Sequence, residues 1–188
     1  MKMGKMEKLI VNSTHHERRL VKWADEVLQY VPFKAGQSVL DVGCGTGALT
    51  RHLAQHYGLQ ATGADVDVEQ IEEARHKANH LTNVHFVVND ARDLHFTDAT
   101  FDTVITFKAM HHIEDWQNAI EEQVRVLKLG GYFIIFDIVS PSWLSRIKIA
   151  EFGVIMESAL TETLADNSLK VMNEGRNGFF KYVICHKL

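Results

Sequence analysis

In Val39-Leu40-Asp41-Val42-Gly43-Cys44-Gly45-Thr46-Gly47-Ala48, a carboxylate precedes three glycines set at alternate positions. The segment lies where an apolar run gives way to a helical pattern, the place where parallel sheets bind ligands beyond their strand ends. Glycines there let the backbone turn sharply and let a ligand approach without a Cβ in the way. Gly43-x-Gly45-x-x-Ala48 also satisfies the dinucleotide fingerprint, a weak signal when it stands by itself. Asp41 separates the two readings. A dinucleotide site cradles a pyrophosphate, and a carboxylate two residues before the first glycine would add negative charge beside it. S-adenosylmethionine (SAM) has no phosphate and carries an ammonium and a sulfonium, so an acid at this strand end suits it. A nicotinamide-dependent oxidoreductase is the alternative that the fingerprint alone permits.

His111-His112 is the second place where residue types could do chemistry. Methyl transfer is an in-line displacement at a carbon already activated by sulfonium, so a protein chiefly supplies alignment and exclusion of water. A general base helps where the nucleophile must lose a proton, and histidine is the usual group near neutral pH. His111 and His112 are therefore the candidate catalytic residues, with a shared structural role as the plainer reading. Lys108, in the same loop, is a candidate contact for an anionic substrate or simply a solvated lysine. His15-His16 is another adjacent pair, but neighbours on a helix point in different directions. Neither pair alone makes a metal site, and none is expected.

The elements that must position these residues follow from periodicity. Thr14-His15-His16-Glu17 has the spacing of a capping box, and Leu20, Trp23, Ala24, Val27 and Val31 recur at helical spacing up to Pro32. Strands are expected at 38–42, 59–64, 84–88, 103–107 and 132–136, with helices at 48–57, 68–79 and 115–127 between them. Asp115 is expected to cap the last of these and Gly130-Gly131 to end it. Alternation of this kind implies a parallel sheet covered on both faces. Residues 141–165 read as largely helical. Leu169–Met172 and Phe179–Cys185 read as strands joined across 174–178, a connection short enough only for an antiparallel hairpin.

From the glycine loop onward the sequence resembles the class I SAM-dependent methyltransferases, closest to the small-molecule type 11 group that includes ubiquinone- and menaquinone-biosynthesis enzymes. The resemblance is carried by the loop, Gly63-Ala64-Asp65-Val66, Asn89-Asp90-Ala91, Phe101-Asp102-Thr103-Val104-Ile105 with Met110-His111-His112-Ile113-Glu114-Asp115, and Leu127-Lys128-Leu129-Gly130-Gly131-Tyr132-Phe133. It implies a Rossmann-like α/β fold: a mainly parallel seven-stranded sheet, helices on both faces and an antiparallel C-terminal hairpin. It implies Asp65 on the ribose hydroxyls, Asp90 and Ala91 at the adenine, and Asp41, Gly43, Cys44, Gly45, Gly47 and Val66 around the cofactor, with Phe107 near the adenosine or in the core. The expected reaction is methyl transfer from SAM to an O, N, S or C nucleophile of a small molecule, releasing S-adenosylhomocysteine. The expected layout is one domain over 1–188: a lid helix at 9–31, the SAM-binding core at 38–137, a helix at 141–165 and the hairpin at 168–186. Removing everything before residue 32 is expected to harm activity more than sheet folding.

Composition narrows the partners. Twenty basic residues against 24 acidic ones, a formal charge of −4, argue against a protein built to grip a phosphate backbone. Cys44 and Cys185 lack metal-ligand spacing, and no apolar run is long enough for a signal-peptide core or a membrane span, so a cytoplasmic chain is expected. No Asn/Asp-Pro-Pro-aromatic segment follows the fourth strand, as base-amino methyltransferases require, and no Pro-Cys pair or cysteine cluster supports pyrimidine-C5 or arsenic methylation. Only about fifty residues follow the fifth strand. Either the acceptor pocket is open or a second copy closes it, as a homodimer would. A SAM-binding regulatory protein without transfer activity is the other function class.

Overall fold

Strand β1 (Ser38–Val42) is buried over its last four residues, as a strand covered on both faces must be. In the computed structural model, which describes residues 13–140 and 154–188, β1 is the centre of the sheet. It pairs in parallel with β2 (Gln60–Asp65) on one side and β4 (Phe101–Phe107) on the other. With β3 (Val84–Val88), β5 (Leu127–Ser140), β7 (Leu169–Asn177) and β8 (Phe180–Lys187), the order is β3-β2-β1-β4-β5-β8-β7. The first five strands are parallel; β8 is antiparallel to β5 and β7 to β8. The order reverses between β1 and β4, which opens a crevice at their carboxyl ends.

Two apolar clusters sit on the two faces. One gathers α1 (Thr14–Leu28), α2 (Ala48–His56) and α3 (Val68–Lys77) through residues such as Leu28, Leu53 and Ile71, all 0% exposed. The other gathers α4 (Trp116–Val126) and α5 (Glu157–Asp166) through Ile120, Val126 and Leu160. The expected fold class is present. Among the described residues no helix is long and apolar enough to cross a membrane, and no three His, Cys, Asp or Glu side chains converge as a metal site.

Several boundaries differ, each for a local reason. Ser13, not Thr14, caps α1 by accepting from the His16 N–H at 3.3 Å, which frees Glu17 from the capping box. Asp115 precedes α4 without a side-chain cap bond, and that helix ends at Val126. Gly130-Gly131 lie instead within an irregular start of β5, where a Cβ on Gly131 would come 2.9 Å from the Asp102 carbonyl oxygen. The expected turn at 174–178 is mostly ladder: Glu174 pairs with Val183 and Gly175 with Tyr182, leaving Gly178-Phe179 to turn. A bulge between Val171 and Asn173 breaks the alternation there, and Gly175 is small because the Tyr182 ring covers it. Of the helix expected at 141–165, residues 141–153 lie outside the described residues, as do 9–12 of the expected lid. Ile155–Met156 form a two-residue strand, β6, beside the end of β5, an eighth strand added to the expected seven.

Candidate active site

A cavity of about 550 Å³ occupies the crevice beyond β1 and β4. Its floor is the glycine loop. Gly43 and Cys44 donate their N–H groups to the Ala64 carbonyl at 2.8 and 3.1 Å, tying the loop to the end of β2. Gly43 has φ +75°, and a Cβ on it would fall 2.3 Å from the Ala109 Cβ, so the loop packs against the turn after β4 only because that atom is missing. Gly47 serves packing in another way. It does not line the cavity; its bare Cα leaves room for the Phe86 ring, 2.3 Å from where a Cβ would stand.

Asp41 is placed differently from expectation. It is 2% exposed, is not among the lining residues, and its Oδ2 accepts from the Thr50 hydroxyl at 2.6 Å. Burial pushes its carboxyl up to about 7; the Thr50 hydrogen bond opposes this and the Asp65 charge adds to it. Asp41 therefore braces α2 behind the loop. The carboxylates that do line the cavity on this side are Asp65, Asp67 and Asp90. Asp65 accepts from the Gly45 and Asp67 N–H groups, each at 2.9 Å. Asp90 accepts from the Arg92 side chain at 3.0 and 2.7 Å, which holds its carboxyl below the usual range. Val66, Ala91 and Cys44 also line the wall. Burial, with Asp41 and Asp65 nearby, pushes the Cys44 thiol well above its ordinary value, so it stays a neutral wall group.

The other side is built from β4, β5, β8 and α1. Phe107 lines the cavity while its ring stacks on Phe136, so it is at once wall and core. His111 and His112 lie in a short 3₁₀ turn, Met110–His112, with ring centroids 3.9 Å apart, and both line the cavity. The turn is fixed by Asp137, a completely buried carboxylate in β5. Its Oδ2 accepts from the Met110 and His111 N–H groups at 2.8 and 3.4 Å. Its Oδ1 accepts from the Ile138 N–H and lies 2.6 Å from His111 Nδ1. A carboxylate only accepts, so the neutral His111 ring carries its proton on Nδ1 and keeps the Nε2 lone pair.

α1 contributes His16, Glu17 and Leu20 to the cavity wall. Glu17 accepts from the Thr46 hydroxyl at 2.8 Å and from Lys77 at 2.9 Å, with Arg51 at 3.5 Å, which ties the helix to the glycine loop and α3. Burial would raise Glu17, yet the Lys77 and Thr46 hydrogen bonds outweigh it and hold the carboxyl low. Farther along, Ala24, Val27 and Leu28 are at most 2% exposed, so this half of the helix is core. Sequence reasoning passed over Asp137, Glu17, Thr46 and Phe180. The signal for Asp137 was present: a lone acid inside Phe133-Ile134-Ile135-Phe136-Asp137-Ile138-Val139, since an acid is almost never fully buried unless paired.

The methyltransferase domain family model matches residues 40–135, half of the chain. The chain is 30% identical over 156 residues to 27-O-demethylrifamycin SV methyltransferase of Amycolatopsis mediterranei, spanning 78% of this chain and 57% of that one. It superposes on the PH0226 protein from Pyrococcus horikoshii with TM-score 0.77 at 28% identity, covering 95% and 93% of the two chains. It shares its fold with geranyl diphosphate C-methyltransferase from Streptomyces coelicolor in complex with Mg2+, geranyl diphosphate and S-adenosyl-L-homocysteine, with TM-score 0.74, 16% identity and 94% and 87% coverage. The chain spans 32% to 57% of the length of these curated relatives, which include both O- and N-methyltransferases.

Proposed function

The chain belongs to the methyltransferase domain family, and from that membership we propose that it transfers a methyl group from SAM to a small-molecule nucleophile. S-adenosylhomocysteine is the other product. The observation that carries this reading is a single cavity with carboxylates at one end and an oriented histidine at the other.

The residues present fit SAM. The choice of SAM over a dinucleotide rests on the family membership, because Asp65 and Asp90 would suit the ribose and adenine of either ligand, and it does not depend on Asp41. Glycine at 43 and 45 lets the loop pass close beside the ligand, and Asp65 is the group that would take the ribose hydroxyls, with Asp90 and Ala91 beside the adenine. When bound, SAM supplies an electrophilic methyl carbon on sulfonium. The chain's own part is alignment and proton removal. His111 Nε2 takes the proton from the acceptor's nucleophilic atom as the bond to carbon forms. Asp137, fixed by three backbone N–H groups, holds the ring in that tautomer and offsets the charge it gains. The N-terminal half of α1 acts as a lid tied down through Glu17, and its C-terminal half is core. Cutting the chain before residue 32 would therefore unfold one face of the sheet as well as open the cavity. A SAM-binding protein without transfer activity would need no such dyad.

The test is incubation with methyl-labelled SAM and a panel of hydroxyl, amine, thiol and carbon acids, for wild type and His111→Ala. Label transferred by wild type and at least a hundredfold less by the variant supports the reading. SAM binding with no labelled product from any acceptor class would sink it in favour of the binding-protein alternative.

A further inference from the structure

Past His111 the cavity reaches the ends of β4, β5 and β8, and its wall there is aromatic. Phe107 stacks on Phe136 at 4.9 Å between centroids, and Phe136 on Phe180 at 5.5 Å with the rings 2° from parallel. Trp23 of α1 stands 5.9 and 5.5 Å from Phe136 and Phe180. A second hollow of about 110 Å³, among Trp23, Phe136 and Tyr182, shares Phe180 with the first. Such a wall suits a planar ring, which gains from offset or parallel stacking.

Lys108 is set into this wall. Its Nζ lies 5.5 Å from the Trp23 ring and 5.3 Å from the Phe180 ring, and the residue lines the main cavity. Its backbone has φ +56°, a region that side-chain-bearing residues rarely occupy, held by its N–H donating to the Phe136 carbonyl at 2.7 Å. Asp137, the acid whose charge reaches Lys108, is already engaged with the His111 turn. Among the described residues Lys108 has no carboxylate at ion-pair distance, and Arg19 lies 5.0 Å from the Trp23 ring as a second cation. Ring faces compensate a half-buried ammonium only in part; an anion in the cavity completes the pairing. Burial, then the Arg19 charge, lowers the Lys108 ammonium, and the Asp137 charge only partly offsets them.

We propose that Lys108 selects the methyl acceptor: an aromatic carboxylic acid whose ring lies against the Phe107–Phe180 wall and whose carboxylate meets the Lys108 ammonium. This deepens the methyl-transfer reading of the same cavity and rests on it. The strand order separates Lys108 from the nucleotide end, since Asp65 and Asp90 follow β2 and β3 on one side of β1 and Lys108 follows β4 on the other. SAM's own carboxylate is the competing claimant.

The test is calorimetric titration with 3,4-dihydroxybenzoate and 6-hydroxy-2-naphthoate, each against its methyl ester, with and without saturating S-adenosylhomocysteine. Wild type binds the acids about tenfold more tightly than the esters. Lys108→Met brings the pairs within about twofold while keeping S-adenosylhomocysteine affinity, which also reports that the variant is folded; Lys108→Arg retains the preference. An acid-to-ester ratio below threefold in wild type, including no binding of either, overturns the proposal. So does a preference that survives in Lys108→Met, or a variant that loses the nucleotide instead, which would give the lysine to SAM's carboxylate. Absence of any SAM or S-adenosylhomocysteine binding would end the methyl-transfer reading separately, because the acid–ester comparison is also made without nucleotide.

Discussion

The two ends of the cavity are built in opposite ways. The end proposed for the nucleotide comes from one stretch of chain, Val42 to Arg92, in which each strand delivers its residues at its own carboxyl end. The end proposed for the acceptor is assembled from His16, Lys108, His111 and Phe180, with Asp137 behind them. Backbone atoms dominate the first end: glycine N–H groups, a loop that a Cβ would spoil, and carboxylates that accept from amides. Side chains dominate the second, and a buried acid fixes them. A ligand common to many proteins can be held by backbone geometry, which a short motif specifies, whereas the partner that differs must be met by side chains that only the fold gathers.

If that division holds, substitutions at the two ends will separate binding from chemistry. The largest effect falls at the acceptor end. His111→Ala should lower kcat by about 10²- to 10⁴-fold, the usual contribution of a positioned base. S-adenosylhomocysteine affinity should stay within twofold; loss of both together would mean that the two ends are one unit. Next is Asp65→Asn, which weakens hydrogen bonds made to a charged group and should cost about tenfold in nucleotide affinity. At saturating SAM its kcat should be close to that of wild type, as read from steady-state kinetics.

Glu17→Gln tests the strap between the ends. It removes the charge that gathers Thr46, Arg51 and Lys77, and partly exposed pairs of this kind are worth about 1 kcal/mol or less. A rise in KM of roughly three- to fivefold with a smaller change in kcat is expected. The smallest effect on binding belongs to Asp41→Asn, under twofold, because that residue stands behind the loop. Its signature is in stability. The folded-state value of about 7 lies above the unfolded 3.8, so the protonated form is the one the fold favours. That contribution is whole below about pH 4 and is lost as pH rises through 7, at up to about 1.4 kcal/mol per pH unit. Denaturant unfolding between pH 4 and 8 should show this slope in wild type and a flatter one in Asp41→Asn.

The same division decided what could be read from sequence. The sheet was legible because the parallel strands contain short apolar runs, and β1, β2 and β3 end at or beside a glycine, aspartate or asparagine. Asp65, Asp90, Gly43 and Gly45 could be expected at the cavity for that reason and line it, whereas Gly47 packs against Phe86 instead. Asp41 was identified correctly as an acid beside the loop, but spacing along a strand does not say which face a side chain serves, and the hydroxyl of Thr50 claims it. Glu17 carried a capping-box spacing, and Ser13 displaced it from that role. Asp137 could be placed at the site only once β5 was known to lie beside β4, and Phe180 only once β8 was known to pair antiparallel with β5. In the hairpin, a bulge at Met172 and a glycine under Tyr182 imitated a turn and shortened the expected strands.

Titration calorimetry of the intact chain with S-adenosylhomocysteine and, in parallel, with NAD tests the assignment of the cavity most directly. Saturable binding of S-adenosylhomocysteine at one site, about tenfold weaker in Asp65→Asn, with no heat from NAD, is the predicted result. Tight NAD binding with no response to the sulfur nucleotide would contradict it.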